Sequence, residues 1–209
     1  MMFVLIGVLF LSVSSVYAET AEEYLNSGHA YVRQGNLTKA ISEYTKAMEI
    51  NPKYADAYYN RGVTYYKQGN LTQAVSDCTK AIVIKPNLVE AYSNRGAAYI
   101  KQGNLTQAIS DFNKAIEINP KCAEAYCSRG VAYYKQGDFV QAMSDCNKAI
   151  ETNSNLGNAY EGRAYVYFAN REYNKAWADV HKAETLGYEA DKEDLEFLEK
   201  LKKASGRNK

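Results

Sequence analysis

The 209 residues contain three prolines, one tryptophan, two histidines and four cysteines, and each scarcity excludes a class of protein. So few prolines beside 13 glycines rule out collagen-like, proline-rich and low-complexity chains. Two histidines and four cysteines leave little material for a metal site. No His-Glu-x-x-His, Gly-x-Gly-x-x-Gly, phosphate loop or nucleophile elbow occurs. No catalytic residue, metal, cofactor or small-molecule substrate is therefore expected. With 25 basic and 24 acidic side chains the formal charge is +1, which removes the electrostatic argument for binding nucleic acid. The chain is rich instead in tyrosine, 19 residues against six phenylalanines.

Residues 1–16 are apolar apart from three serines and carry no charge. They are short for a membrane span, which needs about 20 residues. They end at Val16-Tyr17-Ala18, with small residues where a signal peptidase requires them. The expectation is a signal peptide over 1–18, cleaved near Ala18, and a chain exported to the periplasm or secreted. The alternative is a protein anchored in the membrane by residues 1–16. With cleavage, membrane contact would be transient.

From residue 21 to 190 the chain is one 34-residue unit written five times without insertion: 21–54, 55–88, 89–122, 123–156 and 157–190. The second and third copies are identical at 21 of 34 positions. A fixed period in this range marks a solenoid. Small residues recur at position 8 (Gly28, Gly62, Gly96, Gly130) and position 20 (Ala40, Ala74, Ala108, Ala142), where two helices need to approach closely. Glycine at position 15 ends a first helix. Every proline (Pro52, Pro86, Pro120) falls at position 32 and ends a second. Apolar residues between these marks follow a helical period. Residues 191–203 are predicted to form a capping helix with Leu195, Leu198 and Leu201 on its inward face, and 204–209 a basic tail.

The commonest residues by position, A-E-A-Y-x-N-R-G-x-A-Y-x-K-Q-G-N-L-T-x-A-I-S-D-x-x-K-A-I-x-I-N-P, resemble the tetratricopeptide repeat. The resemblance implies an all-α fold, a right-handed α-solenoid of antiparallel helix pairs. It also implies a non-enzymatic scaffold or adaptor that binds another protein or peptide segment along the concave face of its first helices. A structural role through self-association of the solenoid is the alternative. In the family, ligands meet positions 2, 5, 9, 12 and 13, with Asn at position 6. In the second copy these positions place Tyr59, Asn60, Val63, Tyr66 and Lys67 in the groove. In the third they place Ser93, Asn94, Ala97, Ile100 and Lys101, and in the fourth Cys127, Val131, Tyr134 and Lys135. The fifth offers Tyr165 and Phe168. Position 2 is an acidic row and position 13 a basic row, signs that also suit the helix dipole. Acids at position 2 and the lack of Lys at 5 or Asn at 9 mean that the carboxylate clamp of chaperone-binding members is absent.

Ten tyrosines, at positions 4 and 11, are expected to be core. An Arg at position 7 and an acid at position 23 recur in register; pairing within a repeat strands Glu43, and pairing across repeats strands Asp179. Asn36, Asn70 and Asn104 are helix N-caps or, in a eukaryotic source, glycosylation sites. Cys122 and Cys127 are near enough in sequence for a strained disulfide.

Overall fold

The computed structural model describes residues 20–189 and 192–206. The expected signal peptide and the last three residues of the basic tail lie outside the described residues. Eleven helices occur among those described: α1 (Ala21–Arg33), α2 (Leu37–Ile50), α3 (Ala55–Lys67), α4 (Leu71–Ile84), α5 (Val89–Lys101), α6 (Leu105–Ile118), α7 (Ala123–Gln136), α8 (Phe139–Thr152), α9 (Gly157–Ala169), α10 (Tyr173–Thr185) and α11 (Lys192–Ser205). The fold is an all-α solenoid of antiparallel helix pairs, and α1, α3, α5, α7 and α9 each begin on the first residue of a 34-residue unit.

The boundaries follow from local chemistry. Thr20 caps α1: its hydroxyl accepts from the Glu23 N–H and the Glu23 carboxylate accepts from the Thr20 N–H. Four of the five turns inside a pair end on glycine in the left-handed region, with φ from +74° at Gly35 to +87° at Gly137. In the fifth pair Arg171 takes that conformation at φ +62°, the one non-glycine to do so among the described residues. The second helices stop because the residue before proline is pushed into extended backbone. Asn51, Lys85 and Asn119 have φ near −130° just ahead of Pro52, Pro86 and Pro120. Asn153 repeats the geometry (φ −142°) although Ser154 follows it, so the turn does not depend on proline.

Inside each pair the small residue at position 8 faces the side chain at position 24. A Cβ built on Gly96 would lie 2.8 Å from the Phe112 ring, and one on Gly28 still closer to Tyr44. In the second and fourth repeats the facing residue is Cys78 or Cys146, leaving 3.0 and 3.3 Å. In the fifth repeat the two slots hold Ala164 and Val180, both buried. Close approach demands glycine only where the opposite side chain is an aromatic ring.

The recurring Arg and Asp pair within a repeat. Arg95 donates from Nε and Nη2 to the two carboxylate oxygens of Asp111, at 2.8 and 2.7 Å. Arg61–Asp77, Arg129–Asp145 and Arg163–Asp179 repeat the fork. The third donor, Nη1, crosses to position 25 of the preceding repeat: Thr45, Thr79, Asn113 and Asn147. Thr45 and Thr79 give their own protons to the carbonyls of Ile41 and Val75, which leaves a lone pair for the arginine. The guanidinium lies over the position 4 or position 11 tyrosine ring, for example 5.7 Å from the Tyr92 centroid and 5.8 Å from that of Tyr65. Glu43, left without an arginine, pairs with Lys46. The ten core tyrosines are buried or half-buried; Tyr65, Tyr92, Tyr126, Tyr160 and Tyr167 flank this ladder, Tyr24 and Tyr31 lie under Lys46 and Lys39, and Tyr92 and Tyr160 reach backbone carbonyls of Pro86 and Ser154 with their hydroxyls.

The C-terminal helix covers the last pair with a face turned only partly from the predicted one: Leu198 and Leu201 pack inward as expected and Leu195 does not. Phe197 and Leu201 are buried against Ala164, Ala176, Trp177 and Val180, whereas Leu195 is 55% exposed. The stripe is 194, 197, 198 and 201, spacing three, one and three, rather than the three-three spacing of the leucines; a true helical stripe alternates threes and fours. Asp194 hid it, because an acid in an inward slot reads as surface. Its carboxylate is buried and accepts from the Tyr165 and Tyr188 hydroxyls, each at 2.9 Å. Burial first, then the neighbouring Glu161 and Asp194 carboxylates, push the Tyr188 hydroxyl up from its ordinary pKa. Tyr188→Phe is expected to cost about 1.5 kcal/mol, the worth of one hydrogen bond to a charged group. It should loosen α11 before the repeats, which hydrogen exchange resolved by residue would register.

All four cysteines are free thiols, and Cys127 is buried away from Cys122. Burial pushes the Cys78 and Cys146 thiols up to about 12, and Cys127 is raised for the same reason. Their contribution to stability is complete below the unfolded thiol value of about 8.5 and is lost as pH climbs toward about 12. Burial also raises the Cys122 thiol, but it is the one cysteine that is not fully buried, so a colourimetric thiol reagent near pH 8 should titrate Cys122 first and the other three only at the rate of opening.

Candidate functional site: the inner face of the first helices

Consecutive first helices, α3 to α5, α5 to α7 and α7 to α9, touch one another, and the second helices form the outer layer. At 3.6 residues per turn, positions 2 and 13 of a first helix differ by only about 20° in direction, with position 9 close by. Positions 4, 8 and 11 point the other way, into the pair. The inner stripe therefore runs from an acid in the first turn, through an apolar centre, to a base in the last turn.

Most of the sequence-predicted groove residues share this stripe, but their exposure is uneven. Val63, Ala97, Ile100 and Val131 form a partly buried floor, and Lys67, Lys101 and Lys135 are exposed at its rim. The aromatic residues placed in the groove are half-buried. Tyr59 accepts a hydrogen bond from Asn94 Nδ2 (3.2 Å), the next repeat's position 6. Burial first, and then the Glu90 carboxylate, push its hydroxyl up. Tyr66 lies beneath the Lys101 ammonium, 4.8 Å from the ring centroid. Tyr134 sits between Phe139 and Tyr165, with centroids 5.6 and 5.7 Å away. Asn60 and Asn94 each turn an amide back to a backbone carbonyl of their own helix, those of Asp56 and Glu90.

Three expectations fail. Cys127 is 3% exposed, packed with Ala149 and Ala159, because position 5 lies at the base of the stripe where the next pair presses in. Tyr165 and Phe168 belong to the cap: Phe197 stacks on the first at 4.0 Å and meets the second edge-on at 5.4 Å. The groove therefore ends at the fourth repeat. Ser93, at the same position as Cys127, has a buried hydroxyl without a partner among the described residues. The link between Tyr59 and Asn94 and the covering of Tyr165 are contacts between units, which a pattern inside one unit does not reveal.

Of the N-cap candidates, Asn36 accepts from a backbone N–H, while Asn70 and Asn104 make no side-chain cap; Asp138, in the same slot of the fourth repeat, caps α8. Among the described residues no helix is long and apolar enough to cross a membrane, and no group of His, Cys, Asp and Glu could hold a metal ion.

Comparison with known proteins agrees with the repeat geometry. Family models described as "TPR repeat" match residues 28–69 and 96–137; models described as "Tetratricopeptide repeat" match 55–88, 123–156 and 78–110. No curated protein sequence matches the chain. Similar solved structures include that of a Pseudomonas aeruginosa protein titled "Functional Characterization of Pseudomonas Aeruginosa pilF", at 21% identity, covering 89% of this chain and 84% of that one, with TM-score 0.76. A thermophilic TPR protein of Thermus thermophilus shares 21% identity over 88% of this chain and 98% of its own, with TM-score 0.71. A MamA protein shares 25% over 83% and 97%, with TM-score 0.68. The chain belongs to the tetratricopeptide repeat family of protein-interaction scaffolds.

Proposed function

We propose that the protein is a non-enzymatic adaptor that binds a segment of another protein along its inner groove. We further propose that it works outside the cytoplasm, periplasmic or secreted, after cleavage near Ala18. The observation that carries the groove reading is the aromatic strip of Tyr59, Tyr66 and Tyr134 on the first helices. It is half-buried and bracketed by charged rows. Aromatic side chains in such a strip offer large contact area at small entropic loss. Family membership supports a non-catalytic scaffold.

Replacing Tyr59, Tyr66 and Tyr134 together with serine should preserve helical content and lower capture of the native partner at least tenfold, about 1.4 kcal/mol or more. Unchanged capture from native extract would refute the groove. Mass spectrometry of the exported protein should find Glu19 as the first residue; a retained 1–18 segment would point to the anchor. Light scattering that shows a concentration-independent monomer would remove the assembly alternative.

A further inference from the structure

Charges on the second helices are largely satisfied inside the chain. Lys46–Glu43, Lys114–Glu117, Lys148–Glu151 and Lys175–Glu172 pair three residues apart on or at the start of second helices, and Lys202–Glu199 does so on α11. The first helices carry no such pair among the described residues. Instead Glu22, Asp56, Glu90 and Glu124 stand in the first turns of α1, α3, α5 and α7, and Arg33, Lys67, Lys101 and Lys135 in the last turns. None of the eight forms an ion pair among the described residues. The helix dipole explains the sign at each end. It does not explain why both rows lie on the stripe that faces the groove and stay unpaired there.

The rows are eleven residues apart along each helix, about 16 Å. Between them lies an apolar floor of Val63, Tyr66, Ala97, Ile100, Val131 and Tyr134. Both rows stop together: the fifth repeat has Asn158 and Ala169 in these slots, where α11 already covers Tyr165 and Phe168. Floor and rims thus define one track across four first helices. With neighbouring helices about 9 Å apart, its length is about 27 Å, equal to about 18 helical residues.

The width of the track selects the shape of the occupant. An extended strand directs its side chains alternately to the floor and to solvent, and so addresses neither rim. A helix about 10–12 Å across fills the space between the rows and presents one face to the floor and a flank to each rim. Building on the reading of the groove as a partner site, we infer that its occupant is an amphipathic α-helix of about 18 residues. Its apolar stripe rests on the aromatic floor, its Lys/Arg flank meets the acidic row, and its Asp/Glu flank meets the basic row. Opposite signs on the two rims also fix the direction in which a given helix lies, since reversal would place like charges together.

The test uses the full chain and three labelled synthetic peptides of about 18 residues, the length set by the track. One carries a leucine stripe with lysines on one flank and glutamates on the other. The second has the same composition with both charges mixed on each flank. The third is the segregated sequence interrupted by prolines. Fluorescence anisotropy at low salt should show the segregated helix binding at least tenfold tighter than the mixed one, an advantage that salt erodes. The proline-interrupted peptide should bind weakest. Glu90→Lys with Glu124→Lys should abolish the preference for segregated flanks, and Tyr66→Ser with Tyr134→Ser should weaken all binding. Equal affinity for segregated and mixed helices, tight binding of the proline-interrupted peptide, or no measurable binding of the segregated helix would overturn the inference. In the first two cases, dependence on Tyr66 and Tyr134 would leave the groove itself standing; peptide binding indifferent to those tyrosines would count against the groove as well.

Discussion

Asp111→Ala is expected to destabilise the protein by about 3 kcal/mol, the low end for breaking a buried ion pair by removing one partner. Asp111 is 5% exposed and receives two donors from Arg95, whose own side chain is 17% exposed. Without the carboxylate, the guanidinium keeps only the Thr79 hydroxyl and the Tyr92 ring. Arg95→Met should cost a comparable amount by leaving a buried carboxylate without its two donors. The double variant Arg95→Met/Asp111→Leu should return to within about 1 kcal/mol of the parent, because the attraction of a buried pair is largely offset by the desolvation of its members. Urea unfolding of the parent, Arg95→Met, Asp111→Leu and the double variant forms a double-mutant cycle; additive losses, near 6 kcal/mol for the pair, would overturn this account. The double variant should also show a different solution shape by small-angle scattering, since Arg95 is the residue that reaches back to the preceding repeat.

The second large effect separates two glycines that look equivalent in the sequence. Gly96→Ala is expected to destabilise by about 2 kcal/mol, the cost of overpacking after the helix-propensity gain is subtracted. Its new methyl group would meet the fully buried Phe112 ring at 2.8 Å, and the ring has no room to withdraw. Gly130→Ala should be neutral or stabilise by up to about 0.5 kcal/mol, since alanine is the better helix former and the nearest atoms are Cys146 Sγ at 3.3 Å and the Ala142 carbonyl at 3.4 Å. In a Phe112→Cys background, the cost of Gly96→Ala should largely disappear. Thermal unfolding of the matched pairs reads the difference directly, and equal losses at Gly96 and Gly130 would sink the explanation.

Much of this architecture was legible in the sequence because a solenoid is locally encoded. Each 34-residue unit folds against its nearest neighbours, so period, turn glycines and terminal prolines sufficed to set the helix order. The core tyrosines were legible for the same reason: a residue repeated at one slot in every unit serves the repeat. The Arg/Asp register was also visible, yet its partner assignment was not. Pairing within and across units gives identical spacing in a periodic chain, and only the packed helices place Asp111 rather than Asp77 on the Arg95 fork. The groove divided similarly. Tyr66 and Tyr134 were placed in the groove by their match to position 12 of the resembled repeat, whereas Cys127, placed there by position 5, sank to 3% exposure because a repeat position carries no information about how closely the next pair approaches.

The sequence by itself determined the repeat, its helix boundaries and the sign of charge at either rim of the first helices. These depend on residues within a turn or two of one another: a left-handed glycine, a proline, a carboxylate beside free N–H groups. The tertiary structure decided where the groove stops and which face of the last helix is hidden. Phe197 and Asp194 meet Tyr165 across a loop and a helix pair, and such a contact is fixed by the three-dimensional offset between units, which no one-dimensional period contains.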